Sequence, residues 1–195
     1  HVAMLEPNEF MEKVCVFNSS TRTTKGYKDF VKDNPEAPTI ILQKEYDRIM
    51  RMQEVLFSHP EVCDLMHPNG ETEIANAWLD EDTGVYCKGK ADYRNGTTLV
   101  DLKTTGDCTP HGFMKSCMTY GYDRQAAFYA DGFGCDEFVF IAQEKEAPYN
   151  VAIHYASKEF MARGRAEYKH LLHQYNKYFI TEEDDINSFL IENTL

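Results

Sequence analysis

Between Thr39 and Ser58 the apolar side chains Ile41, Leu42, Tyr46, Ile49, Met52, Val55 and Leu56 recur mostly at spacings of three and four. One face of a helix repeats in this way, so the spacing predicts an amphipathic helix over 39–58 with Thr39 as its cap. Upstream, residues 2–14 mix helix formers with Pro7 and predict a short helix, a turn and a second short piece. "FNSSTRTTKGYKDF" has the Ser, Thr and Gly content of a loop, and "HPEVCDLMHPNG" predicts a short helix and turn.

The period then shortens to two. "ETEIANAWL", "TGVYCKGKADYR" and "GTTLVDLKTT", separated by Asp/Thr/Gly and Asn/Gly turns, predict a three-stranded meander. Asn95-Gly96 is the strongest hairpin signal in the chain. With those two residues at the centre of the turn, Arg94 pairs with Thr97 and Asp92 falls near Leu99. Residues 110–131 read as helix, "EFVFIAQE" and "YNVAIHYA" as two more strands, and Ser157 as the cap of a helix reaching about Tyr178. This order implies an α/β fold with a mixed central β-sheet flanked by helices. A single domain is expected over 1–180, followed by an acidic tail over 181–195.

Composition narrows the chemistry. With 20 Lys and Arg against 32 Asp and Glu the net charge is −12, which argues against a general polyanion-binding surface. A nucleic-acid enzyme of this charge must gather its basic residues on one face or offset phosphate charge with bound metal ions. The six cysteines include no C-x-x-C pair, so neither a zinc ribbon nor an iron–sulfur cluster is expected, and they read as free cytosolic thiols. No apolar run is long enough for a membrane helix and no charged-then-apolar signal segment appears at the start, so no membrane partner is expected, and the free thiols go with an expected cytoplasmic location. Because the first residue is His1 rather than Met, the sequence is expected to begin inside a longer chain.

The stretch "GKADYRNGTTLVDLKTT" concentrates the candidate chemistry. Strand side chains alternate, so Asp101 and Lys103 share one side while Val100 and Leu102 share the other. Asp92 on the neighbouring strand brings a second carboxylate within reach of the same ion, and two such groups repel unless a cation lies between them. Mg²⁺, with Mn²⁺ as a substitute, suits oxygen ligands of this kind. Lys103 beside them can orient a water or a phosphate oxygen. An ordinary surface ion pair also satisfies a bare D-x-K. Downstream, Gln125 and Tyr129 stand one helical turn apart on the face of Tyr122, a spacing that also suits a core helix.

Taken in order, H…D…D-x-K…Q-x-x-x-Y resembles the RecB-like branch of the PD-(D/E)xK nucleases, and within it the RecE-type phage recombination exonucleases. The likeness runs from "HVAMLEPNEF" through "DLKTT" and "RQAAFYADGF" to "GRAEYKHLLHQY". It implies a restriction-endonuclease-like core. As metal ligands it implies His1, Asp92, Asp101 and the carbonyl of Leu102, with Lys103 activating water and Gln125 and Tyr129 close to the scissile phosphate. Glu73 matches a carboxylate often found one strand earlier, with a plain exposed strand residue as the alternative. The resemblance further implies 5′ to 3′ digestion of one strand of linear double-stranded DNA from its ends. A homotetrameric ring and a single-strand annealing protein as partner belong to the same implication. One departure is Asp101, where many members carry Glu. Arg22, Lys25 and Arg124 are further candidates for phosphate contacts. An endonuclease or structure-specific nuclease of the same superfamily, or a catalytically silent DNA-binding module, remain the alternatives.

Overall fold

The computed structural model describes residues 1–37 and 39–180. The acidic tail expected over 181–195 lies outside the described residues. Two short helices, α1 (Val2–Leu5) and α2 (Pro7–Lys13), lead into strand β1 (Val14–Phe17). Helix α3 (Lys25–Asp33), strand β2 (Thr39–Leu42), and helices α4 (Gln43–Phe57) and α5 (Pro60–Leu65) follow.

Two expectations change here. The segment expected to be all loop after Phe17 contains α3, whose first turn is capped by the Thr24 hydroxyl accepting from Tyr27 N–H at 3.3 Å. The helix expected from Thr39 begins at Gln43, because Thr39–Leu42 pair in parallel with Val14–Phe17 as a separate two-stranded sheet. That pairing joins residues some two dozen positions apart, which local periodicity does not register. Glu45 marks the true helix start: its carboxylate accepts the Leu42 N–H at 2.9 Å, the backbone half of a capping box.

The main sheet is five-stranded in the order β3-β4-β5-β6-β7. Strands β3 (Glu71–Leu79), β4 (Tyr86–Asn95) and β5 (Thr98–Thr105) form the expected antiparallel meander. β5 runs parallel to β6 (Glu137–Glu144), and β7 (Val151–Tyr155) returns antiparallel. A parallel pair needs a crossover, supplied by α6 (Pro110–Tyr120) and α7 (Tyr122–Phe133). The single helix expected over 110–131 breaks at Gly121, whose φ of +65° is a left-handed conformation that glycine adopts without penalty. The break starts a new helix at Tyr122 and so sets the direction from which Gln125 approaches the sheet. Helix α8 (Lys158–Tyr175) begins as expected at Ser157, whose hydroxyl accepts Phe160 N–H at 3.1 Å, and a π-helical turn follows over Asn176–Ile180.

β6 is buried on both faces, as a strand between two helical layers must be. Phe138, Phe140 and Ala142 pack with Phe113 and Ala126 of α6 and α7, while Ile141 joins Met52, Leu56 and Val62 of α4 and α5. β5 divides in the same way, Leu99 to the first cluster and Val100 and Leu102 to the second. Among the described residues no helix is long and apolar enough to cross a membrane.

Candidate active site

The β4–β5 turn decides where the carboxylates meet. Asn95 pairs with Thr98, Arg94 with Leu99 and Tyr93 with Val100, so the turn residues are Gly96 and Thr97, one position later than expected. Gly96 has φ +60°, and the Asn95 amide is engaged elsewhere, donating to the Asp64 and Leu65 carbonyls at 3.2 and 3.3 Å. Continued by one step, this register sets Asp92 against Asp101 rather than against Leu99. The β4–β5 ladder ends there, and the Asp92 side chain replaces the next strand-to-strand bond, its Oδ2 accepting Leu102 N–H at 2.9 Å. The two strands therefore part at the point where the carboxylates lie.

Asp101 is 3% exposed, with Gln125 Nε2 donating to its Oδ1 at 2.8 Å and Lys103 Nζ lying 2.7 Å from its Oδ2. The ammonium is at ion-pair distance but off the direction of a hydrogen bond, and Oδ2 is the buried polar side-chain atom left without one among the described residues. Burial pushes the Asp101 carboxyl up, and the neighbouring Asp92 adds to this, against the opposing pull of Lys103. Lys103 Nζ also rests 4.7 Å from the centre of the Tyr122 ring, which confines the amine between a carboxylate and an aromatic face.

His1 Nδ1 lies 3.4 Å from Asp92 Oδ2. The hydrogen bond to Asp92 raises the His1 pKa against the burial that would lower it. For Asp92 burial alone would raise the carboxyl; the bonds from His1 and Leu102 N–H outweigh it and hold the group below the usual aspartate range.

The structure thus brings His1, Asp92, Asp101, Leu102, Lys103 and Gln125 together. It does not bring every candidate there. Tyr129 sits in the apolar cluster beside Phe128 and Phe133, with its ring closely over Gly89. Glu73 pairs with Lys90 rather than with Lys103, and its φ of +53° is a left-handed backbone conformation in the strand next to Asp92. Arg22 is held by Glu45 through two hydrogen bonds of 2.7 Å, and Arg124 lies 3.6 Å from Glu167. Lys25 is exposed at the start of α3. Tyr122 emerges as a site residue through its contact with Lys103; its place one turn before Gln125 was the signal in the sequence.

The donor set fits a hard divalent cation. It offers two carboxylates, one with a buried oxygen lacking a hydrogen bond, and an imidazole already tied to the second. Among the described residues no group of three or more His, Cys, Asp or Glu forms a metal-binding cluster by itself. Magnesium sites rarely use one, since Mg²⁺ keeps several waters and takes one or two carboxylates together with substrate phosphates.

The fold has a counterpart among known proteins. Among solved structures, a candidate exonuclease from Eubacterium rectale superimposes with a TM-score of 0.56 at 18% identity, covering 76% of this chain and 58% of that one. The chain therefore spans less than two thirds of that protein's length. A phage-related exonuclease from Haemophilus somnus 129PT overlaps at a TM-score of 0.43 and 13% identity, over 90% of this chain and 95% of that one. No curated protein matches the sequence. The family model described as a PDDEXK-like domain of unknown function, DUF3799, matches residues 1–191. With its mixed five-stranded sheet between helical layers and a D-x-K strand beside a second aspartate, the chain belongs to this PDDEXK-like family.

Proposed function

We propose that the protein is a metal-dependent exodeoxyribonuclease that degrades one strand of linear double-stranded DNA in the 5′ to 3′ direction and leaves 3′ single-stranded tails for recombination by annealing. The observation that carries this reading is the meeting of Asp92, Asp101, Lys103 and Gln125 where β4 and β5 part. Asp92, Asp101, His1 and the Leu102 carbonyl are the groups that would hold Mg²⁺ or Mn²⁺. Such an ion supplies Lewis-acid polarisation of the phosphate and makes a water easier to deprotonate.

The protein's own residues do the rest. Gln125 fixes one oxygen of Asp101 and leaves the other facing Lys103. The Lys103 ammonium donates to the attacking water or to a phosphate oxygen, and its confinement by Tyr122 limits where that donor can point. His1 and Leu102 N–H hold the Asp92 carboxylate in one orientation. Water attacks phosphorus in line and loses a proton to solvent, the P–O bond to the departing nucleotide breaks, and the leaving oxygen takes a proton from solvent, so that the net change is the addition of one water across that bond.

The same reading includes a ring of four copies around the DNA, a single-strand annealing protein as partner, a single nuclease domain over 1–180 and a cytoplasmic site of action. The decisive experiment digests end-labelled linear duplex and covalently closed circles side by side, with Mg²⁺ and with EDTA. Shortening from the 5′ ends of linear DNA only, abolished by EDTA, is the expected result. Nicking of closed circles would assign the chain to the endonucleases instead, and no cleavage of either would leave a silent DNA-binding module. Light scattering tests the ring, which a monomer mass would remove.

A further inference from the structure

Beside Lys103 lies a small cavity of about 100 Å³, between the C-terminal end of β5 and the α6–α7 junction. Lys103, Lys145, Thr104, Ser116 and Tyr122 line it, and no Asp or Glu is among its walls. In a chain of net charge −12 that is a local reversal of sign. The carboxylates nearby are already engaged. Asp101 is held by Gln125 and Lys103, and Asp107 accepts Thr109 N–H at 2.9 Å. Glu144 accepts from Cys108 N–H at 3.2 Å and from Asn150 Nδ2 at 2.8 Å, and Glu146 is 3.0 Å from Arg48 Nη2. The Lys145 backbone is anchored by its N–H to the Thr105 carbonyl at 3.0 Å, while its ammonium has no carboxylate within ion-pair distance among the described residues.

Size and donors limit what can enter. A cavity of about 100 Å³ is well below the roughly 300–1,000 Å³ of sites that take a drug-sized ligand. A tetrahedral oxyanion is small enough to enter it. Its lining residues Lys103, Lys145, Ser116 and Tyr122 all carry side-chain donors, which suits an oxyanion. The place is also favourable, since open α/β sheets bind ligands outside the carboxyl ends of parallel strands, here β5 and β6.

We infer that this cavity is an oxyanion site that receives a phosphate group of the nucleic-acid strand other than the one under attack. The assignment of the phosphate to nucleic acid rests on the nuclease reading above; the anion chemistry does not. Lys103 belongs to both sites, lining the cavity and pairing with Asp101, so a phosphate seated here fixes the position of the strand relative to Asp101. Lys145 and Ser116 act as positioning residues.

The test begins without DNA or metal. Inorganic phosphate is titrated into the full chain by calorimetry, and saturable binding is expected. Lys145→Ala and Ser116→Ala should each weaken it by about tenfold or more, whereas Lys145→Arg retains it. Absence of saturable binding, or equal binding by wild type and both alanine variants, overturns the site. A second arm compares KM on linear duplexes with 5′-phosphate and with 5′-hydroxyl ends. A KM raised by Lys145→Ala only on phosphorylated ends identifies a terminal monoester as occupant; a KM raised equally on both identifies an internal diester. An unchanged KM on both ends overturns the strand-positioning role. If the chain cuts no DNA at all, the nuclease reading falls alone and the phosphate titration still decides the cavity.

Discussion

Gln125 Nε2 donates to Asp101 Oδ1 at 2.8 Å while Lys103 Nζ lies 2.7 Å from the other oxygen of the same carboxylate. A helix residue and a strand neighbour thus grip both ends of a group almost wholly removed from water. Burial costs a carboxylate several kcal/mol of hydration, on the order of what one ammonium and one amide return only with good geometry. Such an arrangement contributes little to stability, which points to chemistry as the reason for it.

Asp101→Asn separates the two roles. The amide keeps the size of the side chain and removes its charge, so digestion of end-labelled duplex in Mg²⁺ should fall by about a hundredfold to a thousandfold or more. Because burial already favours the uncharged form of Asp101, the melting temperature should hold or rise. Near-normal activity, or a collapse of the melting temperature, would count against the assignment.

His1→Ala tests the metal directly. Removing the imidazole that orients Asp92 should weaken Mn²⁺ binding by about tenfold to a hundredfold, a range typical for groups that hold or steer a ligand. Electron paramagnetic resonance of Mn²⁺ reads the affinity without reference to cleavage. Unchanged affinity would remove His1 from the site.

The clasp between the β3–β4 turn and α8 should set part of the acid stability. Lys169 Nζ lies 2.7 Å from Asp80 Oδ2, and the Asp80 Oδ1 accepts from the Thr83 hydroxyl at 2.8 Å and its N–H at 3.1 Å. Burial alone would raise the Asp80 carboxyl; the Lys169 and Thr83 bonds outweigh it and hold it below the usual aspartate range. A depressed folded-state pKa means the contribution is complete above the unfolded value of about 3.9 and is lost as pH falls through the lower folded value. Lys169→Met should cost about 2 kcal/mol in urea unfolding at pH 7 and shrink that acid-side loss. Parallel stability curves for variant and wild type between pH 5 and 2, taken as rough bounds of that window, would contradict it.

Gly164→Ala sets two effects of opposite sign against each other. In a helix interior alanine is favoured over glycine by about 1 kcal/mol. A Cβ at Gly164 of α8, however, would stand 1.9 Å from the Asp123 carbonyl oxygen of α7, backbone that cannot swing away. Overpacking of about 1–3 kcal/mol or more wins, so thermal melting should show destabilisation. A stabilised variant would mean that the two helices do not cross so closely.

Much of the architecture was legible because it depends on local pattern. The meander, the two later strands and the start of α8 at Ser157 follow from alternation and capping, which neighbouring residues enforce on one another. The failures share a cause. Thr39–Leu42 open a segment whose apolar residues have the spacing of a helix, and they become a strand because Val14–Phe17 offer them a ladder. Asn95-Gly96 shifts by one because α5 claims the Asn95 amide. The pairing of Arg22 with Glu45, 23 positions away, is likewise invisible to local pattern.

For the site, the sequence by itself determined the chemical inventory: two aspartates, a lysine two residues beyond one of them, a histidine at the first position and a glutamine a helix later. Strand alternation also placed Asp101 and Lys103 on one side. Only the tertiary structure decided which groups meet, because that depends on where β4 parts from β5, on the break at Gly121 that aims α7, and on how deeply Asp101 is buried. Alternation and capping act between neighbours in the chain. Desolvation and convergence act between elements brought together by folding, and the properties of Asp101 as a functional group come from those.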